Sequence, residues 1–203
     1  MHEINAAVMR EPEKLSYESV TLDEPKEGEV LVDIRATGVC HTDYHAYTNA
    51  ETQCPMVLGH EGAGVVEAVG DQVSRVEPGD HVVLWVLPSC GDCEFCVSGR
   101  PYLCSLHAEI RGGMPDGTKR IHGDDGPINH FFAQSSFAEK VVVPERTAVP
   151  IRSDVRFEIA ALLGCGVPTG TGAVLNTADV RPGDDVAVFG CGGVGASAIM
   201  GAD

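Results

Sequence analysis

Four cysteines constrain this chain more than any other feature. Cys90, Cys93 and Cys96 stand at CxxCxxC spacing, and Cys104 closes the set. Four thiolates so placed can surround one tetrahedral zinc ion. The rival is an iron–sulfur cluster, whose bacterial motif has a shorter last gap and a proline after the fourth cysteine. Here Ser105 follows Cys104. A four-cysteine zinc site keeps no open position, so its binding energy is folding energy rather than chemistry. The lobe at about 90–104 therefore reads as scaffold, and the reactive groups are sought elsewhere.

Three other residues form a second candidate set. Cys40 stands in Gly38-Val39-Cys40, His60 in Gly59-His60-Glu61 and Cys165 in Leu163-Gly164-Cys165-Gly166. Two thiolates and one imidazole are the ligands of a catalytic zinc that keeps its fourth position for water or substrate. The three lie far apart in sequence, so the residues before Cys165 are expected to bring them together. Those after it read as the start of a nucleotide-binding unit.

Composition narrows the function. The 203 residues carry Lys+Arg 14 against Asp+Glu 30, a net charge of −16. Nothing in that balance could track phosphates, so nucleic acid is not an expected partner. An anionic membrane surface is excluded for the same reason. The balance reads as an acidic soluble enzyme; a sharper reading is a high-salt source, where surface carboxylate maintains solubility. Met1-His2-Glu3-Ile4-Asn5 lacks the basic and apolar regions of a signal peptide, and no apolar run approaches a membrane span. The eight cysteines then read as metal ligands in a reducing cytoplasm rather than as a disulfide framework.

The first third is expected to be β-rich. Ile4–Val8 and Glu29–Ala36 alternate or run apolar, with Pro25-Lys26-Glu27-Gly28 as the turn between them. Gly38 to His45 reads as a strand ending in a thiol, a hydroxyl and two histidines. Gly62–Val66 and His81–Leu84 read as further strands, the latter fed by the turn Glu77-Pro78-Gly79-Asp80. Residues 107–135 read as one long polar loop. Ser136–Val143 returns to strand, and Phe157–Leu163 is a short helical run delivering Cys165. A small-residue helix runs from Pro168 to about Ala178.

Asp185-Val186-Ala187-Val188-Phe189 then leads into Gly190-Cys191-Gly192-Gly193-Val194-Gly195 and a short helix from Ala196. GxGxxG between a strand and a helix is the dinucleotide fingerprint. Gly190 would make the tight turn, Gly192 would admit the pyrophosphate, and Gly195 would pack helix on strand. Gly62-Ala63-Gly64 is a decoy, because Glu67 stands where the third glycine belongs. Cys54 and Cys191 have no partner spacing and read as free thiols.

Together these motifs, with Gly164-Cys165-Gly166-Val167-Pro168-Thr169-Gly170 and Pro127-Ile128-Asn129-His130-Phe131-Phe132, resemble the zinc-dependent medium-chain alcohol dehydrogenases. The long-loop members are the nearest in pattern; they include class I and class III enzymes and nicotinoprotein relatives. The resemblance implies a mostly β GroES-like barrel domain over residues 1–166. An incomplete Rossmann, doubly wound domain would begin over 167–203, the remainder of which the family carries further along its chain. It implies two zinc ions per chain, NAD(P) as hydride acceptor, and a homo-oligomer for a full-length form.

It also implies roles. Cys40, His60 and Cys165 would hold the catalytic zinc, which lowers the pKa of the alcohol and stabilises the alkoxide. Cys90, Cys93, Cys96 and Cys104 would hold the structural zinc. Thr42 would accept the alcohol proton and pass it through the cofactor ribose to His45, a residue type suited to exchanging protons with water near neutrality. Asp43 would orient His60 through its second ring nitrogen. Glu61, next to the ligand His60, would correspond to the family's glutamate that can approach the metal. His41 would meet the pyrophosphate and Thr169 the nicotinamide, beside Gly190, Gly192, Gly193, Val194 and Gly195. His130, Phe131 and Val86 would line the substrate pocket. His2, His81, His107 and His122 have no catalytic role, and Asp80 is a turn residue.

The leading expectation is a primary alcohol or aldehyde substrate. A rival is a formaldehyde dehydrogenase acting on a thiol adduct. Glutathione-linked members carry an arginine shortly after the lobe, where this chain has Ser105, Leu106, His107, Ala108 and Glu109, so glutathione is disfavoured. A rival of another class is a non-catalytic zinc-stabilised fragment, and the 203 residues alone would be catalytically silent for want of a complete cofactor crevice.

Overall fold

The computed structural model describes residues 1–110 and 112–203. Arg111, at the head of the expected long loop, and the Glu109 side chain lie outside the described residues. Two β layers share one core. The first is a closed barrel of β1 (His2–Glu11), β2 (Lys14–Leu22), β7 (Ile121–Gly123), β8 (Gly126–His130) and β4 (Met56–Val57), in the order β1-β2-β7-β8-β4. Strand β4 returns to β1 and pairs in parallel with β8, which closes the ring. Closure leaves no sheet edge open to other chains. Alternate residues Ile4, Ala6 and Val8 of β1 point into the core, where Val20 and Leu22 of β2 and Ile121 and Ile128 of the β7–β8 hairpin meet them.

The second layer is a five-stranded sheet in the order β10 (Ala148–Pro150), β6 (His81–Leu84), β5 (Gly62–Val69), β3 (Glu29–Thr37) and β9 (Lys140–Pro144). All its pairings are antiparallel. Val30, Leu31 and Val32 of β3, and Val141, Val142 and Val143 of β9, are buried on consecutive positions. These strands are covered on both faces, so they read as apolar runs rather than as alternation.

Several expectations are corrected. The residues after Gly38 do not continue as strand: His41–Thr48 is helix α1. Cys40 caps it, its sulfur accepting from the Thr42 amide at 3.5 Å while Asp43 Oδ2 accepts from the Cys40 amide at 2.9 Å. This is a capping box with cysteine in the place usually held by serine or threonine. Strand β2 joins β1 across a tight turn at Pro12–Glu13 and had no place in the expected order. The expected loop at 107–135 contains the hairpin β7–β8, turned on Asp124-Asp125 between Gly123 and Gly126. The strand expected from Ser136 begins only at Lys140.

The four-cysteine lobe and the residues just after it carry the short helices α2 (Glu94–Val97) and α3 (Leu106–Glu109). Toward the end of the chain, α4 (Phe157–Ala160) passes into a 3-10 turn over Ala161–Gly164, which presents Cys165. Helix α5 (Gly166–Gly172) continues as a π turn over Ala173–Thr177, and α6 (Gly193–Ala202) packs against α5. Val186–Phe189 forms no strand, and Phe189 is 98% exposed. A parallel strand needs a neighbour to satisfy its backbone, and none lies beside it among the described residues. No single helix among those residues is long and apolar enough to cross a membrane.

Candidate metal centre and substrate cavity

The fold brings Cys40, His60, Glu61 and Cys165 together, with one donor atom from each lying within 4.8 Å of all the others. Cys40 comes from the cap of α1, His60 and Glu61 from the run into β5, and Cys165 from the 3-10 turn. One carboxylate organises the first two. Asp43 Oδ1 accepts from His60 Nδ1 at 2.9 Å and from the Gly59 amide at 3.1 Å, while Oδ2 holds the Cys40 amide. A carboxylate can only accept here, so Nδ1 carries the proton and Nε2 is left as the donor toward the cluster.

The electrostatics suit a cation. Burial opposes a charged His60 ring, but Asp43 and Cys165 outweigh it and push the ring up to about 10. Burial likewise opposes the Cys40 thiolate, but the Thr42 amide and His60 pull the thiol below its ordinary value. Burial raises the Glu61 carboxyl, against the pull of His60 and of the Gly166 amide. Two thiols and one imidazole whose far nitrogen is tied to a carboxylate are the donor set of a zinc site.

The four-cysteine lobe has the geometry of a closed site. Sulfur–sulfur separations are 3.5 Å for Cys90–Cys104 and 3.9 Å for both Cys90–Cys96 and Cys93–Cys104. A tetrahedron with zinc–sulfur bonds of about 2.3 Å has edges of about 3.8 Å. A disulfide would need about 2.05 Å. Amides aim inward as well: Cys90 N donates to Cys104 Sγ at 3.3 Å and Cys93 N to Cys90 Sγ at 3.4 Å.

Beside His60 lies a cavity of about 200 Å³ lined by Met56, Leu87, Ile110, His130, Phe131 and Phe132, among others. The rings of Phe131 and Phe132 stand 5.6 and 5.3 Å from the His60 ring, so cavity and metal cluster share a wall. His130 and Phe131 are where the sequence placed them. Val86 is not in the lining; its neighbour Leu87 is. His107, given no catalytic role, borders the cavity while its Nε2 meets the Pro88 carbonyl at 2.7 Å. Phe132, Met56, Leu87 and Ile110 went unsingled, since isolated apolar residues carry no positional signal before the chain folds.

Thr42 and His45 lie exposed on one face of α1, at i and i+3. His41 is exposed and sits edge-on to Tyr44. The Thr169 hydroxyl donates to the Cys165 carbonyl at 2.7 Å. Gly190 has φ +98, and a side chain at Gly195 would collide with the Gly190 carbonyl. Space around Gly192 and Gly193 is open. Val194 follows in the first turn of α6. Asp80 accepts from the Glu77 amide at 2.9 Å and closes its turn. Cys54 and Cys191 are free thiols.

Residues 26–153 match the family described as the alcohol dehydrogenase GroES-like domain. The chain is 49% identical over 203 residues to the S-(hydroxymethyl)glutathione dehydrogenase of Saccharomyces cerevisiae, covering 97% of this chain and 53% of the relative. The alcohol dehydrogenase zinc-binding domain protein of Burkholderia ambifaria superposes with a TM-score of 0.93 at 41% identity, over 99% of this chain and 56% of that one. Benzyl alcohol dehydrogenase of Acinetobacter calcoaceticus gives 0.91 at 36% identity, over 100% of this chain and 56% of that one. The chain thus spans about half the length of the curated relatives it matches.

Proposed function

We propose, from the premise that this chain belongs to the zinc-type medium-chain alcohol dehydrogenase family, that its whole protein transfers hydride between a primary alcohol and a nicotinamide cofactor. The observation that carries this reading is the Cys40–His60–Cys165 cluster sharing a wall with an apolar cavity. Zinc, when bound, supplies a Lewis acid for the alcohol oxygen. NAD(P), when bound, accepts the hydride.

The remaining work falls to this chain's own groups. Asp43 holds the His60 ring with Nε2 facing the cluster and fixes the Cys40 amide. Phe131, Phe132, Met56 and Ile110 exclude water and favour an apolar or aromatic alcohol tail. Thr42 takes the alcohol proton through its hydroxyl, and His45, one helical turn on, exchanges it with solvent. His41, Thr169 and the turn at Gly190, Gly192, Gly193, Val194 and Gly195 contact the cofactor. Residues 167–203 are read as the first part of the dinucleotide-binding unit and 1–166 as the catalytic domain. The whole protein is read as a homo-oligomer in the cytoplasm, where thiols stay reduced.

A second reading is favoured by the name of the yeast relative: a thiol adduct of formaldehyde as substrate. The apolar side chains Met56, Leu87, Ile110, Phe131 and Phe132 in the cavity lining favour the simple alcohol. Metal analysis and steady-state kinetics of the whole protein test both. Two zinc ions per chain and a higher kcat/KM for benzyl or cinnamyl alcohol than for S-(hydroxymethyl)glutathione are expected. About one zinc, or no cofactor-dependent alcohol oxidation, would overturn the first reading; a strong preference for the glutathione adduct would install the second.

A further inference from the structure

Three glycine-bearing motifs meet on one carboxylate. Gly38 stands two residues before Cys40, Glu61 follows His60, and Gly166 follows Cys165. Glu61 is 4% exposed, and its carboxylate lies within the cluster of metal-ligating atoms. The Gly166 amide donates to Glu61 Oε1 at 3.2 Å, and the Gly38 amide donates to the Glu61 carbonyl at 3.0 Å. The space beside Gly38 is what the carboxylate occupies. A methyl group there would overlap Glu61 Oε2 and stand 3.0 Å from both Cβ and Cδ of Glu61. Gly38 is not in the left-handed region of backbone space. Its backbone would therefore accept alanine, and the methyl group would fit only by displacing the Glu61 carboxylate.

We infer that Gly38 and Gly166 are positioning residues, a cradle that keeps the Glu61 carboxylate at ligand distance from the metal held by Cys40, His60 and Cys165. Gly38 contributes by empty volume and Gly166 by its N–H. A side chain at Gly166 would stand 3.6 Å from Oε1, an ordinary contact, so that position tolerates alanine. The inference rests on the reading that the three residues bind a metal. Its specific content is that Gly38 acts on the metal only through Glu61.

The test is the rate at which the zinc-loaded whole protein gives up metal to a chromogenic chelator, with Cys165→Ser used to assign the phase belonging to this site. Gly38→Ala is expected to speed that phase by roughly 10-fold or more, as loss of a ligand-supporting group does, and to leave the four-cysteine phase unchanged. Gly166→Ala leaves both phases unchanged. In a Glu61→Ala background, adding Gly38→Ala has no further effect, since the methyl group then fits; this is the coupling term of a double-mutant cycle. An unchanged rate in Gly38→Ala, or equal acceleration with and without Glu61, overturns the cradle. Should Gly38→Ala fail to fold, the double variant with Glu61→Ala is expected to recover folding, and a double variant equally unfolded overturns it. Absence of this zinc phase in the unsubstituted protein overturns the metal reading itself.

Discussion

The Asp43 carboxylate holds two candidate ligands, Cys40 and His60, that lie twenty residues apart. Asp43→Ala is expected to weaken metal binding at the Cys40 site by about 10- to 100-fold, measured by chelator competition. The same change removes half of the α1 cap, worth about 1 kcal/mol in urea unfolding. Thr42 and His45 separate by a different readout. Thr42→Ala in the whole protein should lower turnover by roughly 10²-fold or more, the scale of general acid–base catalysis. His45→Ala should lower it much less, because water replaces a group at the solvent end of a relay. Near-unchanged turnover in Thr42→Ala would remove the hydroxyl from proton transfer. The candidate ligand types were legible from residue chemistry, because thiols and imidazoles are sparse and their roles few; the Asp43 partner was legible only through the family resemblance. Phe132 and Gly38 were not, because a wall or an empty volume exists only once its neighbours are in place.

Among the elements, the four-cysteine lobe and the Cys40–His60–Cys165 cluster are expected to answer differently to loss of a cysteine. Cys93→Ala opens a closed site whose only contribution is to folding, so it should lower the thermal midpoint and the yield of folded protein more than Cys165→Ala does. Equal effects would mean that the lobe is not metal-stabilised. The elements also show where sequence patterns mislead. The turn Glu77-Pro78-Gly79-Asp80 and the strand His81–Leu84 are local and came out as expected. Helix α1 did not, because its start signal uses a cysteine where serine or threonine is usual, and its exposed, weakly amphipathic face left no apolar stripe. The β7–β8 hairpin hid in a polar stretch because Ile121 and Ile128 are its buried apolar residues and the third buried position of the hairpin is the polar His130. Val186–Phe189 shows the converse: an apolar pattern does not become a strand without a partner.

For the whole molecule, a buried ion cluster joins the barrel to the sheet. Arg120, fully buried, donates from Nε to Glu29 Oε2 at 2.8 Å and from Nη2 to Asp116 Oδ2 at 2.9 Å. Arg120→Met leaves Glu29 buried without its cation and should cost about 3–5 kcal/mol in urea unfolding. Burial opposes the Asp116 carboxylate, but Thr118, Arg120 and Lys26 outweigh it and hold it well below the usual carboxylate range. A carboxylate depressed on folding stabilises fully above its unfolded value, about 3.9, and that contribution is lost as the pH falls through the folded value. Asp116→Asn should therefore flatten the fall of stability between about pH 4 and pH 2, followed by acid unfolding. A wild-type slope in that variant would mean that other carboxylates carry the acid transition. Residue type and spacing along the chain point to the two candidate ligand sets, the glycine motif and the family. Folding alone decides that the Gly166 amide meets Glu61, that Phe132 walls the cavity and that Arg120 meets Glu29. Those contacts join segments as much as 105 residues apart, as at Glu61 and Gly166, and such approaches are set by packing two β layers together rather than by any local preference of the chain.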